Sequence, residues 1–341
     1  MSSSPLSPVL FCAAAGPRLG FGHLVRCRSL ARALKVEPVI ALRGSRRTRE
    51  RAAALGSTVV AVSSTAALSA LGPSLVVVDE PSAAHAGRWL ARARRLGVPA
   101  ASIHDLGLAY VASDLLIDGS VRTTAPPAGS PLLAGPAYAI LDPAVEHVRR
   151  TRRRPKTGRV LVALGGGHHV RGAAAELTAA LAARLPHADI RVARGFVPTG
   201  SLPSLAHGTW VEVPDGLARE LAEASVAIVA GGVTLYEACA LGVPVVGVAV
   251  TAAQRQTIRG VASRGAAVDG GGPPIDAIRC QRVAALVAHL LANPTRSAAQ
   301  SRAARELVDG RGAQRVAIGL RALVRRHRAS HPSGMEAHHA A

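Results

Sequence analysis

Aromatic side chains make up only 2% of the 341 residues, so any core must be built from alanine, valine and leucine. The same scarcity removes the stacking platforms that hold single-stranded nucleic acid. Lysine occurs only at Lys35 and Lys156, so arginine carries almost all of the formal charge of +20. Those arginines are spread along helices and form no single stripe. The charge therefore reads as solvated helix faces that attract phosphate-bearing small molecules, and no nucleic-acid partner is expected. Cysteine is rare as well: Cys12, Cys27, Cys239 and Cys280 include no C-x-x-C pair, which argues against a disulfide framework or a zinc site. The first three lie in apolar patterns and are expected as buried thiols. No apolar run reaches the roughly 18 to 20 residues that span a bilayer. The start, MSSSPLSPVLFCAAAG, lacks a basic n-region and leads straight into a strand. No membrane span or secretory signal is expected, and the protein is placed in the cytoplasm.

What the chain does have is apolar residues in quantity (49%) and length enough for two domains. Its organising stretch is Gly16–Leu34, GPRLGFGHLVRCRSLARAL, which follows the apolar run Pro8–Ala15. From His23 onward, Leu24, Cys27, Leu30, Ala31 and Leu34 recur at three- and four-residue steps, the mark of a helix with one buried face. The reading is strand, glycine turn (Gly16, Gly20, Gly22), helix, with His23 at the first helical turn. A helix start offers unpaired N–H groups and a partial positive charge, so it holds anions and disfavours a protonated imidazole. A neutral His23 facing a cleft could serve as a general base. The alternative is a plain tight turn with His23 bonded to a nearby carbonyl. The dinucleotide fingerprint fails here, because Val25 stands where a third glycine is expected.

The same grammar continues. Strands are expected at 36–42, 58–62, 74–79, 98–104 and 114–118, with helices from 43 to 55 and from His85 to Leu96. Alternation of this kind points to a parallel sheet covered on both faces, with ligands beyond the carboxyl ends of the strands. Gly22, His23, Asp79 and Asp105 all fall at such ends and are expected to converge on one crevice. Pro126, Pro127, Gly129 and Pro131 mark a loop, and the stretch to Lys156 is strongly basic. The second half restarts with a strand at 159–164, the turn Gly165–Gly167 and a helix at 172–185. Strands at 189–193, 209–213, 226–230 and 243–248 follow, with helices at 234–241, 281–291 and 313–327. The expected fold is α/β, two Rossmann-like doubly wound domains facing a cleft. Residues 1–148 are expected to form the N-terminal domain. A basic linker (149–158), a C-terminal domain (159–328) and a disordered tail (329–341) complete it.

A second candidate site repeats the device of the first. A buried strand delivers Gly231–Gly232 to a helix start, where N–H groups and Thr234 are available to a diphosphate. Glu237, one turn in, could accept from a ribose diol. Thr234-x-x-Glu237 is equally a capping box that satisfies only the helix's own N–H groups.

Taken together, these pieces resemble a known family. They are 20–27 (GFGHLVRC) with 29–31, 133–141 (LAGPAYAIL), 231–237 (GGVTLYE) with 240–244, and Gln254–Arg255. The chain is similar to the UDP-2,4-diacetamido-2,4,6-trideoxy-β-L-altropyranose hydrolases of the pseudaminic-acid pathway and to related spore-coat polysaccharide proteins. These share the fold of two-Rossmann-domain (GT-B) glycosyltransferases. The resemblance spans most of residues 9–270. It implies that UDP binds mainly in the second half, at Gly231, Gly232, Thr234, Glu237 and Gln254. The sugar would face the first half, at Gly20, Gly22, Asp79, Asp105 and Tyr138, and His23 would activate the water that releases UDP. Arg26, one turn along, would assist with charge or merely cover the helix face. No cofactor or metal is implied. The chain departs from the family pattern at His104, where an acid is usual, and at His168–His169 after the third glycine. It departs again at Glu80–Pro81, in place of an aromatic, and at Ala253, in place of Asn. Two other readings of the same fold stay open. One is a glycosyltransferase in which His23 deprotonates an acceptor hydroxyl, and the other is a non-catalytic nucleotide-sugar-binding protein.

Overall fold

The computed structural model describes residues 6, 8–16, 19–105, 110–122, 125–127, 129–151, 155–165, 169–195, 202–213 and 216–331. His168, the glycines at 166 and 167, and the tail from 332 lie outside the described residues.

Each half is a doubly wound sheet. The first half runs β1 (Val9–Ala14), α1 (Gly22–Leu34), β2 (Val39–Arg43), α2 (Arg46–Ala54), β3 (Thr58–Val60), α3 (Thr65–Leu71), β4 (Leu75–Asp79), α4 (Ala83–Arg95), β5 (Ala100–His104), β6 (Leu115–Asp118) and β7 (Leu132–Ala134). A single 3₁₀ turn, Pro136–Tyr138, leads into α5 (Pro143–Thr151). The strand order is β3-β2-β1-β4-β5-β6-β7, and every pairing is parallel. β1 and β4 are buried along their whole length, which is why they read as unbroken apolar runs. Serines at the starts of α2, α3 and α4 accept from the helix's own N–H groups and fix where each begins.

The second half runs β8 (Arg159–Ala163), α6 (His169–Arg184), β9 (Asp189–Ala193), β10 (Thr209–Val211), α7 (Ala218–Glu223), β11 (Val226–Ala230), α8 (Val233–Leu241), β12 (Val245–Val248), α9 (Gln254–Ala262) and β13 (Val268–Asp269). It closes with α10 (Ala277–Ala292), α11 (Pro294–Leu307) and α12 (Gly312–Ser330). The strand order is β10-β9-β8-β11-β12-β13, again parallel. In both sheets the winding reverses direction at the centre, between β1 and β4 and between β8 and β11. A reversal of this kind opens a crevice at the carboxyl ends of the strands. The turn that leads into His23 and the turn at Gly231 stand at those two ends.

The halves exchange helices, which sequence order does not suggest. Val145 of α5 is buried among the apolar residues of the second half. Arg149, expected in a linker, lies in this helix and donates to the carbonyls of Ala240 and Val308, both at 2.7 Å. Conversely, Ala313, Val316, Ala317, Leu320, Leu323 and Val324 of α12 sit in the core beneath α1 and β1. A helix packs wherever its apolar stripe finds a partner, and here both stripes find it across the boundary. All four cysteines are free and buried. No helix among the described residues is long and apolar enough to cross a membrane.

Candidate functional site: a cleft between the two sheets

One open cleft of about 1380 Å³ lies between the halves, with Gly20, Gly22, His23, Arg26 and Asp105 on one wall and Gly232, Thr234, Glu237 and Gln254 on the other. On the first wall Gly16 and Gly20 close a small loop through two backbone hydrogen bonds, 3.0 and 2.7 Å. Gly20 takes the left-handed φ of +76° that this turn requires. Gly22 is the first residue of α1, and His23 the second.

The Nδ1 of His23 lies 2.7 Å from Oδ1 of Asp79. Arg26 grips the same carboxylate with two donors, Nε to Oδ2 at 2.8 Å and Nη2 to Oδ1 at 2.6 Å. Its Nη1 donates to Oδ2 of Asp105. Burial opposes the charge on Asp79, but Arg26 and His23 outweigh it and hold the carboxyl at about 2. An ionised carboxylate only accepts, so we assign the proton on His23 to Nδ1, donating to Asp79. The Nη2 of Arg26, 2.8 Å from the same nitrogen, then spends its protons on the carboxylate. Nε2 is left with a lone pair on the side of the ring away from Asp79. The His23 side chain is 15% exposed and lines the cleft. This is the arrangement of a general base whose tautomer is set from behind.

Two expectations on this wall change. Asp79, expected against the sugar, is fully buried behind His23 and is not part of the cleft lining. Arg26 does not merely cover a helix face: Asp79 and Asp105 occupy its fork, and it borders the cleft. Burial works against its charge, and these two acids more than offset this and raise its pKa. Asp105, 29% exposed, does border the cleft.

On the second wall the strand β11 delivers Gly231 and Gly232 to α8. Gly232, not Thr234, is the N-cap, and no side chain caps the helix. The capping box is therefore absent: Thr234 and Glu237 are the second and fifth residues of the helix. The N–H groups of Val233 and Thr234 have no acceptor among the described residues. Glu237 is 8% exposed and lines the cleft, and its carboxyl has no hydrogen-bond partner among the described residues. Burial, with a smaller push from Asp142, raises its pKa to about 7. The oxygen Oε1 of Gln254 accepts from the N–H of Val250 at 3.0 Å, which leaves its amide N–H₂ for a ligand. Gly231 does not line this cleft. A Cβ there would stand 2.9 Å from both Cβ and O of Gln254, so this glycine lets α9 pack against the turn.

Tyr138 also lies elsewhere. It lines a smaller side chamber of about 470 Å³, which joins the cleft at Arg26, Asp105, Gly232 and Val233. Ser120, Tyr236 and Thr257 line the chamber too, and sequence reasoning singled out none of them. Tyr236 sits inside the 231–237 motif, the one available signal, while Ser120 and Thr257 arrive only through packing of the halves. Of the departures from the family pattern, Ala253 precedes α9 without capping it. Glu80 takes two hydrogen bonds from Arg43, at 2.9 and 2.5 Å. No group of three or more His, Cys, Asp or Glu side chains among the described residues is placed to hold a metal ion.

No family model matches the chain. It is 28% identical over 201 residues to the spore coat polysaccharide biosynthesis protein SpsG of Bacillus subtilis (strain 168), a match covering 55% of this chain and 58% of that protein. Among solved structures it is similar to MurG of Acinetobacter baumannii, with a TM-score of 0.59 and 15% identity over 92% of this chain and 99% of that one. It is similar also to the UDP-GlcNAc 2-epimerase of Neisseria meningitidis bound to UDP-GlcNAc, with a TM-score of 0.58 and 12% identity over 92% and 99%. The chain thus has weak homology to SpsG and the two-domain fold of the GT-B glycosyltransferases.

Proposed function

We propose that the protein is a cytoplasmic UDP-sugar hydrolase of surface-glycan or nonulosonate biosynthesis, with residues 1–148 as the catalytic side and 159–328 as the UDP side. One observation carries the reading: the lone pair of His23, backed by Asp79, shares a cleft with the unpaired carboxyl of Glu237 and the free N–H groups of α8. The diphosphate would lie on the start of α8 beside Thr234, and the ribose diol would donate to Glu237. His23 Nε2 would take a proton from water as the water oxygen attacks the anomeric carbon. The bond from that carbon to the diphosphate oxygen breaks, and UDP leaves with the electron pair. Two of the similar proteins support this reading: SpsG is a polysaccharide biosynthesis protein, and the epimerase holds UDP-GlcNAc. Purified protein incubated with a panel of UDP-sugars and no acceptor should release UDP. Release only when a hydroxylic acceptor is added would favour the glycosyltransferase reading, in which the same imidazole serves the acceptor. Binding of UDP without turnover would leave a nucleotide-sugar-binding protein.

Glu237 gives this site a pH dependence. Its folded pKa of about 7 stands above the ordinary 4.5, so the free protein loses stability as pH rises from the lower value through the higher. A diol donates best to the ionised form, so ligand affinity should rise over the same interval. Titrating UDP-glucose, whose diphosphate does not ionise near neutrality, should show about fivefold tighter binding at pH 8 than at pH 6. Glu237→Gln should flatten that profile. An unchanged slope in the variant would assign the effect to another group.

A further inference from the structure

The side chamber lies between the halves and is finished by a contact across them, the N–H of Val121 donating to the Tyr236 hydroxyl at 3.0 Å. Its polar groups are all neutral or already paired. Arg26 and Asp105, at the mouth, are bound to each other. Burial pushes the pKa of the His104 imidazole down, a shift that Asp118, Asp105 and Asp79 only partly oppose. Burial pushes the Tyr236 phenol up. The Nε2 of His104 lies 2.7 Å from the Ser102 hydroxyl, and its other ring nitrogen has no partner among the described residues. Ser120 and Thr257 are buried, and neither hydroxyl has a partner among the described residues. Ile103 and Leu141 supply apolar wall between them.

Such a lining has an evident chemical preference. The buried, unpaired hydroxyls of Ser120 and Thr257 and the remaining ring nitrogen of half-buried His104 gain from a ligand that both donates and accepts hydrogen bonds. A carboxylate or an ammonium group entering the same space would lose its hydration and, among the described residues, meet only Arg26 and Asp105, which already hold each other. We propose that this chamber is a subsite for the uncharged, hydroxyl- or amide-bearing edge of the sugar, and that it rejects sugars bearing a carboxylate or a free ammonium group. The assignment rests on the nucleotide-sugar reading above and adds to it the class of sugar admitted.

Calorimetric titration with UDP, UDP-glucose, UDP-glucuronate and UDP-glucosamine tests it, because UDP alone has nothing to place in the chamber. UDP-glucose should bind about tenfold tighter than UDP-glucuronate and UDP-glucosamine. Ser120→Ala and Thr257→Val remove one hydroxyl each with little change of shape. Each should lower the ratio of UDP-glucose affinity to UDP affinity by about fivefold. His104→Phe should do the same, and the two milder variants decide the matter if that protein folds poorly. If UDP binds but the charged sugars bind as well as UDP-glucose, the chamber assignment falls while the nucleotide reading stands. It falls equally if both hydroxyl variants leave the ratio unchanged. If UDP does not bind, both fall together.

Discussion

The His23→Ala protein should release UDP about a thousandfold more slowly than the wild type, while its affinity for UDP stays within about twofold. The size of the effect follows from what the imidazole does alone. Its Nδ1 is committed to Asp79, so Nε2 is the one nitrogen left to receive a proton, and among the described residues no second histidine lines the cleft. Binding should survive, because the groups assigned to the diphosphate and ribose lie on α8 and α9, across the gap. A side chain only 15% exposed but small in volume can be removed without opening the core. Single-turnover release of UDP, with Kd for UDP measured on the same sample, separates the two effects. A variant that keeps a tenth of wild-type turnover would remove His23 from the chemistry.

Asp79→Ala should be the most destabilising single change at the site. It leaves Arg26 buried with Asp105 as its remaining carboxylate, and breaking a buried pair by removing one partner costs about 3–5 kcal/mol. For a chain of this size that corresponds to a fall in Tm of roughly 4–7 °C. The pH dependence has a definite sign. The folded pKa of about 2 lies below the ordinary 3.8, so the contribution of Asp79 is fully present above the higher value. It is lost as the pH falls through the lower one. Melting curves of wild type and variant should therefore differ most near neutrality and converge toward pH 2. Equal Tm values at pH 7 would mean that water replaces the carboxylate around Arg26 at no cost.

Period and punctuation carried much of this architecture. The runs at 9–14, 75–79, 159–163 and 226–230 are legible because strands buried on both faces cannot alternate. The histidine after Gly22 and the glycine pair after Ala230 stand out because each ends such a run. Several short elements carry no such mark. α3 and α7 are too short for a full apolar stripe, β7 and β13 have three and two residues, and α9 opens without a cap. The role of Asp79 was hidden for another reason: an acid closing a strand can face the crevice or the space behind it. That choice is made by Arg26, 53 positions away in the chain. The ambiguity at Thr234 and Glu237 was local, and the helix removes the capping-box reading by taking Gly232, two residues earlier, as its N-cap.

The exchange of α5 and α12 has a consequence for how the polypeptide matures. While the ribosome is still translating, the first sheet emerges with the socket for α12 bare, and the helix that fills it follows some 160 residues behind α5. At ordinary elongation rates that interval is roughly 10–30 s. The nascent N-terminal portion must spend it greasy on one side, a natural client for holding chaperones, until the late-arriving helix seals it.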